Sequence, residues 1–373
     1  MQLYKHQDTL EKIRIRVHDT LRQVGNSFPH FADPNTGKWV TTENGDWTGG
    51  FLPGMLWLLH TLTGEEMYRI EARKYAKILE KRITDDTVYR GFLFYYSAAL
   101  GSILSKDREM KEMGLKAAEE LSKSYNEKVK VFPIGVQAEE TIVGRTEVTI
   151  DTMMCLPLLW WAWKETGDKK YYEYSVEHSK TLVRFCVRND GSIAQSVSFD
   201  VETGKILKTY THKGYSPDSC WARGQAWGIH GYAFAYMMTG LEEFLQVAMK
   251  AADYYVRKIP KDLIPFYDFD DPRIPNVERD TSTATVTTSA LLKLSKKVPQ
   301  QKRQTYLDVV VRTWETLIGH YLTPTSTGDK RPTGILAQGC YNRNIDLATN
   351  NELIWGDYYL LETLFLAEKD IVI

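Results

Sequence analysis

The 373-residue sequence is poor in several things, and each absence removes a class of protein. It has four cysteines, Cys155, Cys186, Cys220 and Cys340, widely spaced and with no C-x-x-C pair. That argues against zinc sites and disulfide frameworks and fits a reducing compartment. Net charge is −1, so no basic surface predicts nucleic acid or anionic lipid as a partner. No apolar run reaches the ~20 residues that span a bilayer, so no membrane contact is expected. The opening segment, MQLYKHQDTLEKIRIRV, carries charges where a secretory signal needs an apolar centre, and no N-x-[ST] sequon occurs. A cytoplasmic location is expected. G-x-G-x-x-G, P-loop, H-E-x-x-H and G-x-S-x-G motifs are all missing, and no spacing suits a metal. No metal is therefore expected. What remains is 43% hydrophobic and 25% charged, the balance of a soluble globular protein, at a length suited to two domains or one large closed architecture.

What is present is a hidden repeat. GMLWLLHTLTGEEMYRIEARKYAKIL, LPLLWWAWKETGDKKYYEYSVEHSKTLVRF and GYAFAYMMTGLEEFLQVAMKAADYYV share one grammar. An apolar helix runs to a Thr-Gly pair, and a charged, one-sided helix follows. Gly64, Gly167 and Gly240 supply the left-handed residue that ends the first helix. An aromatic stands four residues after each, at Tyr68, Tyr171 and Phe244. Apolar positions in the second helices recur at helical spacing, whereas the first helices are apolar nearly all round and must be buried. FLFYYSAALGSIL before REMKEMGLKAAEELSKSY, and TATVTTSALLKL before QQKRQTYLDVVVRTWETLIGHY, repeat the alternation more weakly. An amphipathic helix at about 8–24 and the apolar DYYLLETLFLAE are left to pair with each other. Six buried and six amphipathic helices predict an all-α (α/α)6 toroid over residues 1–373 as a single domain, with a few short strands in long loops. An open solenoid is the alternative, but no polar capping repeats are present.

If the buried helices all run the same way, their starts meet at one end of the ring. Those starts are preceded by ENGDWTGGF, TDDTVYRGF, Asp151, YSPDSCWARGQAW, NVERDTST and NNELIWGDYY. Acids, tryptophans and arginines thus gather at one concave mouth, suited to a small ligand. Asp46, Asp280 and Asp357 read as helix caps or loop braces. Asp151 stays open between cap and chemistry, because Pro157 falls beyond the first turn of a helix that Asp151 would cap. Trp160, Trp161 and Trp163 read as core, while Trp47, Trp221 and Trp227 are candidates to stack on a sugar. His178 and His230 lie within helices and read as structural; His212 lies in a loop feeding the mouth.

DTMMCLPLLWWA, THKGYSPDSCWARGQAWGIHGYAFAY, ERDTSTATVTTSALLKL and IWGDYYLLETL together resemble the unsaturated glucuronyl hydrolases, glycoside hydrolase family 88. RGQAW is shared with the related unsaturated rhamnogalacturonyl hydrolases, and LPLLWWA leans to the glucuronyl branch. The likeness runs from about Asp46 to Leu361. It implies an (α/α)6 toroid and an unsaturated oligosaccharide as substrate, without a cofactor. The implied reaction hydrates the double bond of a terminal unsaturated uronic or related sugar, outside the ordinary two-carboxylate glycosidase schemes. Asp151 matches the family's acid/base. Trp47, Trp221 and Trp227 would wall the sugar, Arg223 and Gln225 would contact or support a polar substituent, and His212 matches a loop histidine.

Departures from the family pattern fall on substrate contacts. Val88 and Tyr89 stand where the family shows His and Asp before its Gly-Phe pair, and Asp85 and Asp86 lie just upstream as possible replacements. Lys213 replaces a loop glutamine, and Gln195 replaces a histidine. Arg90 and Lys213 would add positive charge to the mouth, which suits a carboxylate, a sulfate or another anion. A hydrolase with altered contacts is expected. An isomerase or saturated-sugar glycosidase on the same toroid, or a catalytically weak sugar-binding protein, are the alternatives. The pattern specifies no oligomeric state.

Overall fold

A computed structural model describes residues 3–138, 144–325, 333–369, 371 and 373. Five helical hairpins follow one another along the chain. They are α2 (Phe51–Thr63) with α3 (Glu66–Leu79), α4 (Arg90–Phe94) and α5 (Leu100–Ser105) with α6 (Arg108–Ser122), α7 (Leu156–Thr166) with α8 (Lys169–Cys186), α9 (Ala222–Thr239) with α10 (Glu242–Lys258), and α11 (Thr281–Ser295) with α12 (Gln300–His320). The sixth pair joins the ends of the chain: α1 (His6–Val24) lies against α13 (Ile354–Glu368). α13 packs on both α11 and α2 and so closes the inner ring. The expected toroid is present, and its inner helices are buried nearly all round.

One difference concerns FLFYYSAALGSIL, expected as a plain helix. It is α4 and α5 joined by a π-helical turn at Tyr95–Ala99. All five residues of that turn are buried, among them Tyr95 and Tyr96, whose rings pack against inner-helix neighbours. π-turns of this kind commonly sit beside functional sites.

Three inner helices end in one geometry. Gly64, Gly167 and Gly240 have φ of 75°, 75° and 70°, and each donates its N–H to the carbonyl four residues back at 2.8 Å. The preceding Thr63, Thr166 and Thr239 hydroxyls donate to carbonyls at 2.8, 2.7 and 2.7 Å. The same hydroxyls accept the N–H two residues on, at 3.2 Å each time. These turns lie at one end of the ring.

The other end carries the long connections and two small antiparallel sheets. One has the order β2-β1-β6, from β1 (Phe28–Asp33), β2 (Lys38–Thr42) and β6 (Glu352–Leu353). The other has the order β3-β4-β5, from β3 (Glu147–Thr149), β4 (Ser196–Phe199) and β5 (Ile206–Tyr210), with Thr149, Ser196 and Tyr210 in one row. The β4–β5 hairpin turns through residues 201–204, where Gly204 takes a φ of 73°. Among the described residues, no helix is long and apolar enough to cross a membrane.

Candidate active site

A narrow pocket, about 240 Å³ with the solvent at its opening included, lies at the mouth end. Its walls come from five separate connections and the inner helices they enter: Trp47, Tyr89 with Phe92, Asp151, Lys213 with Trp221 and Arg223, and Tyr341. A larger outer cleft of about 1020 Å³ lies between Ser124, Arg145 and Glu202. It has no tryptophan, and its Asp86 is paired with Arg145 at 2.9 Å. The smaller pocket is where aromatic faces, a buried acid and two cations converge, so it is the candidate site.

Asp151 sits in a 3-10 turn, Ile150–Met154, between β3 and α7, and is 8% exposed. α7 begins afresh at Leu156, with Cys155 at its N-cap and Pro157 inside its first turn. Asp151 is therefore not the cap of α7, and the proline is placed where helices tolerate it. The turn is braced on both sides. Ile150 N–H donates to the Gln195 carbonyl at 2.8 Å. The Thr152 hydroxyl donates to the Thr149 carbonyl at 2.6 Å and meets His178 Nε2 at 2.9 Å. His178 Nδ1 accepts the Phe132 N–H at 3.0 Å, which leaves the ring proton on Nε2 for Thr152. Burial holds this imidazole down to about 3, so it is neutral. Gly91 completes the local geometry: a Cβ there would lie 2.3 Å from the Cys155 Cα. Without one, the start of α4 rests on the start of α7, and Tyr89 shares a pocket with Asp151.

The walls are aromatic. Trp47 Nε1 donates to the Tyr341 hydroxyl at 3.0 Å, and its ring stands 6.3 Å from Tyr89 and 5.4 Å from Phe92. Arg223 lies 4.5 Å over the Trp221 ring. Its guanidinium pairs with Asp280 at 2.7 Å and also donates to the carbonyls of Cys340 and Tyr341. Arg223 is thereby fixed as part of the wall. Lys213 is buried, with its ammonium 5.4 Å over Trp221 and 5.0 Å over Tyr341.

Other residues singled out from the sequence lie outside this lining. Arg90 is buried, but its guanidinium donates to the carbonyls of Thr87 and Ile83 at 3.0 and 3.3 Å, and burial lowers its pKa. It braces a turn and adds no charge to the pocket. Gln225 is consumed by protein partners: its amide donates to the Gly191 and Ala251 carbonyls at 2.8 and 2.9 Å and accepts the Ile193 N–H at 2.9 Å. Gln195 accepts the N–H groups of His212 and Lys213 at 3.2 and 2.9 Å, so it shapes the loop that carries Lys213. His212 points to Ser196, with Nδ1 2.7 Å from its hydroxyl, and stands 3.8 Å from Glu147. Trp227 lies one helical turn below Arg223, between Phe92 and Tyr359 at 5.8 and 5.7 Å. Asp85 pairs with Arg82 at 2.6 Å, so neither upstream acid replaces the family's second carboxylate in this pocket.

The three expected caps and braces are in place, with Asp46 accepting the Trp47 N–H at 2.5 Å. Asp280 caps α11, and Asp357 accepts the N–H groups of Ile335 and Leu336, both at 3.0 Å. Sequence reading missed Phe92 and Tyr341. Phe92 had a signal, since it directly follows Gly91; Tyr341 had only its place in the last long connection.

The model of Glycosyl Hydrolase Family 88 matches residues 21–364. An unsaturated glucuronyl hydrolase of Bacillus sp. (strain GL1) is 32% identical over 358 residues, covering 94% of this chain and 93% of the relative. An unsaturated glucuronyl hydrolase of Formosa agariphila is 34% identical over 325 residues, covering 86% of this chain and 79% of its own. The crystal structure of unsaturated glucuronyl hydrolase from Bacillus sp. GL1 superposes with a TM-score of 0.92 at 30% identity, over 98% of this chain and 97% of that one. The chain belongs to glycoside hydrolase family 88: it is a glycoside hydrolase built on the helical toroid of the unsaturated glucuronyl hydrolases.

Proposed function

We propose that the chain releases a terminal 4,5-unsaturated uronate from oligosaccharides made by polysaccharide lyases, with Asp151 as the acid and base. The observation that carries this is a carboxyl group, 8% exposed, facing a pocket walled by Trp47, Tyr89, Trp221 and Tyr341 with a lysine at its side. The names of the Bacillus and Formosa relatives support the substrate class. In its acid form Asp151 gives its proton to C4 of the enol ether. Positive charge develops at C5 and the ring oxygen. Water then adds to C5 and returns a proton to the carboxylate. The C5 hemiketal opens by breaking its bond to the ring oxygen, and the hemiacetal left at C1 expels the aglycone alcohol. One water is consumed, and the sugar leaves as a keto aldehyde.

Lys213 is assigned the substrate carboxylate. Lys213 lines the pocket with its ammonium over the Trp221 and Tyr341 rings, within reach of an anionic group bound there. Tyr89 in the family's carboxylate position and Lys213 in its glutamine position make this pocket less acidic than the family pattern. This reading favours a substrate whose anionic group is recognised more strongly and whose hydroxyls are recognised differently. The four buried, unpaired cysteines support a cytoplasmic setting, and the closed ring supports one catalytic domain.

The test is turnover of unsaturated disaccharides from several lyases, followed by loss of the double-bond absorbance. Wild type is expected to consume at least one and Asp151→Asn none at a comparable rate. In heavy water, one deuteron is expected at C4 of the product. Undiminished turnover by Asp151→Asn, or product without deuterium at C4, sinks the assignment. Binding without turnover across the panel would favour the sugar-binding alternative.

A further inference from the structure

We propose that Asn344 is a positioning residue, a clasp that holds Lys213 over the pocket from the neighbouring loop. The Asn344 side-chain amide donates to the His212 carbonyl at 2.8 Å and to the Gly214 carbonyl at 3.0 Å. Those carbonyls belong to the residues before and after Lys213, so one amide ties the backbone on both sides of the lysine. The opposite edge of the same backbone is held by Gln195, which accepts the N–H groups of His212 and Lys213. Two carboxamides from different connections thus grip three residues with four hydrogen bonds. Farther along, Asp268 accepts the Tyr215 N–H at 2.9 Å and the Ser219 hydroxyl at 2.7 Å, which anchors the far side of the loop.

The clasp also ties two walls of the pocket together. Asn344 and Tyr341 belong to one connection, and the Tyr341 ring lies 5.0 Å beneath the Lys213 ammonium. Tyr341 is fixed by Trp47 through its hydroxyl and by Arg223 through its carbonyl. Asn344 stands in a short turn, Arg343–Ile345, whose N-cap Asn342 accepts the Asn344 N–H at 3.2 Å. Asp346 and Ala348 just beyond have φ of 54° and 49°, a left-handed conformation that costs non-glycine residues energy. Asn344 itself is exposed, so burial does not account for where its amide points. What its two bonds accomplish is to keep a long, flexible ammonium side chain aimed into an apolar pocket, where an unrestrained loop would release it to water.

This rests on the reading of Lys213 as the partner of the substrate carboxylate, and the experiment separates the two. Asn344→Ala, Lys213→Gln and the double variant are compared on the unsaturated disaccharide that wild type turns over fastest. Asn344→Ala is expected to raise KM about three- to tenfold, with kcat within about twofold. In the Lys213→Gln background the same change is expected to have no further effect on KM. Asn344→Asp, which replaces the amide donor by a carboxylate facing two carbonyls, is expected to act in the same direction at least as strongly. If Lys213→Gln raises KM but Asn344→Ala leaves it unchanged, or acts equally in both backgrounds, the clasp is wrong and the Lys213 reading stands. If Lys213→Gln changes nothing, both fall.

Discussion

The two ends of the toroid follow opposite rules. At the turn end, Thr63-Gly64, Thr166-Gly167 and Thr239-Gly240 repeat the same bonds to within about a tenth of an ångström. At the mouth end no two connections are alike. The difference reflects what each end does. A short turn has one task, to cap a helix and reverse the chain, and one solution serves every hairpin. The mouth connections each deliver a different side chain to one shared pocket, so repetition there would be useless. Repeated chemistry in this protein marks structure, and unrepeated chemistry marks the site.

That contrast can be broken at either end. The largest expected effect is at Asp151: Asp151→Asn should lower kcat by about 10²–10⁴-fold while leaving the melting temperature nearly unchanged. Parallel absorbance assays and thermal melts check this, and a large loss of stability with little loss of rate would make Asp151 structural after all.

Next comes acid sensitivity. His178 braces the turn that carries Asp151, and His230 lies within the barrel beside Lys293 and Glu362. Burial lowers His178 to about 3, and burial, then the Lys293 charge, lowers His230 to about 4. Both rings are neutral when folded and gain protons more readily when unfolded. Their contribution is fully present above about pH 6.5 and is lost as pH falls through 4 and then 3. Melts from pH 7 to pH 4 should fall steadily, and His178→Gln should flatten that slope while lowering stability at pH 7. An unchanged slope would remove His178 from the account.

Lys213→Gln should raise KM about tenfold or more, the size of a charge-assisted contact, with a smaller change in kcat. A neutral unsaturated sugar should show no such dependence.

The smallest effect belongs to the turn end. A Cβ added at Gly167 or Gly240 meets no atom within 4 Å, so only the left-handed backbone resists it. Each Gly→Ala change should cost about 1–2 kcal/mol in denaturant unfolding and leave kcat/KM unchanged. A fall in activity there would show that the two ends are coupled.

Much of this architecture was legible in the sequence. The turn grammar and the all-round apolar inner helices are local patterns, and they led to the toroid. The β1–β2 hairpin also had a signal, DPNTG, in which Asp33 accepts the Asn35 and Thr36 N–H groups at 2.7 and 3.2 Å and Gly37 takes a φ of 69°. It was missed because its third strand, β6, lies more than three hundred residues away. WARGQAW was read as one block, but helical rotation sends Arg223 to the pocket, Gln225 to the Gly191 and Ala251 carbonyls, and Trp227 a turn deeper. Arg90 and Lys213 looked equivalent on paper. Arg90 turned back to carbonyls of its own connection, and Lys213 turned into the pocket over Tyr341, a ring brought in from another connection.

By itself, the sequence determined that inner and outer helices alternate and that acids and aromatics collect where the inner ones begin. Periodicity and capping act over a few residues, so both could be read along the chain. Only the tertiary structure decided that Trp47, Asp151, Lys213 and Tyr341 meet in one small pocket while equally plausible neighbours turn away. That outcome depends on ring closure and on hydrogen bonds between distant loops, and neither leaves a trace in local spacing.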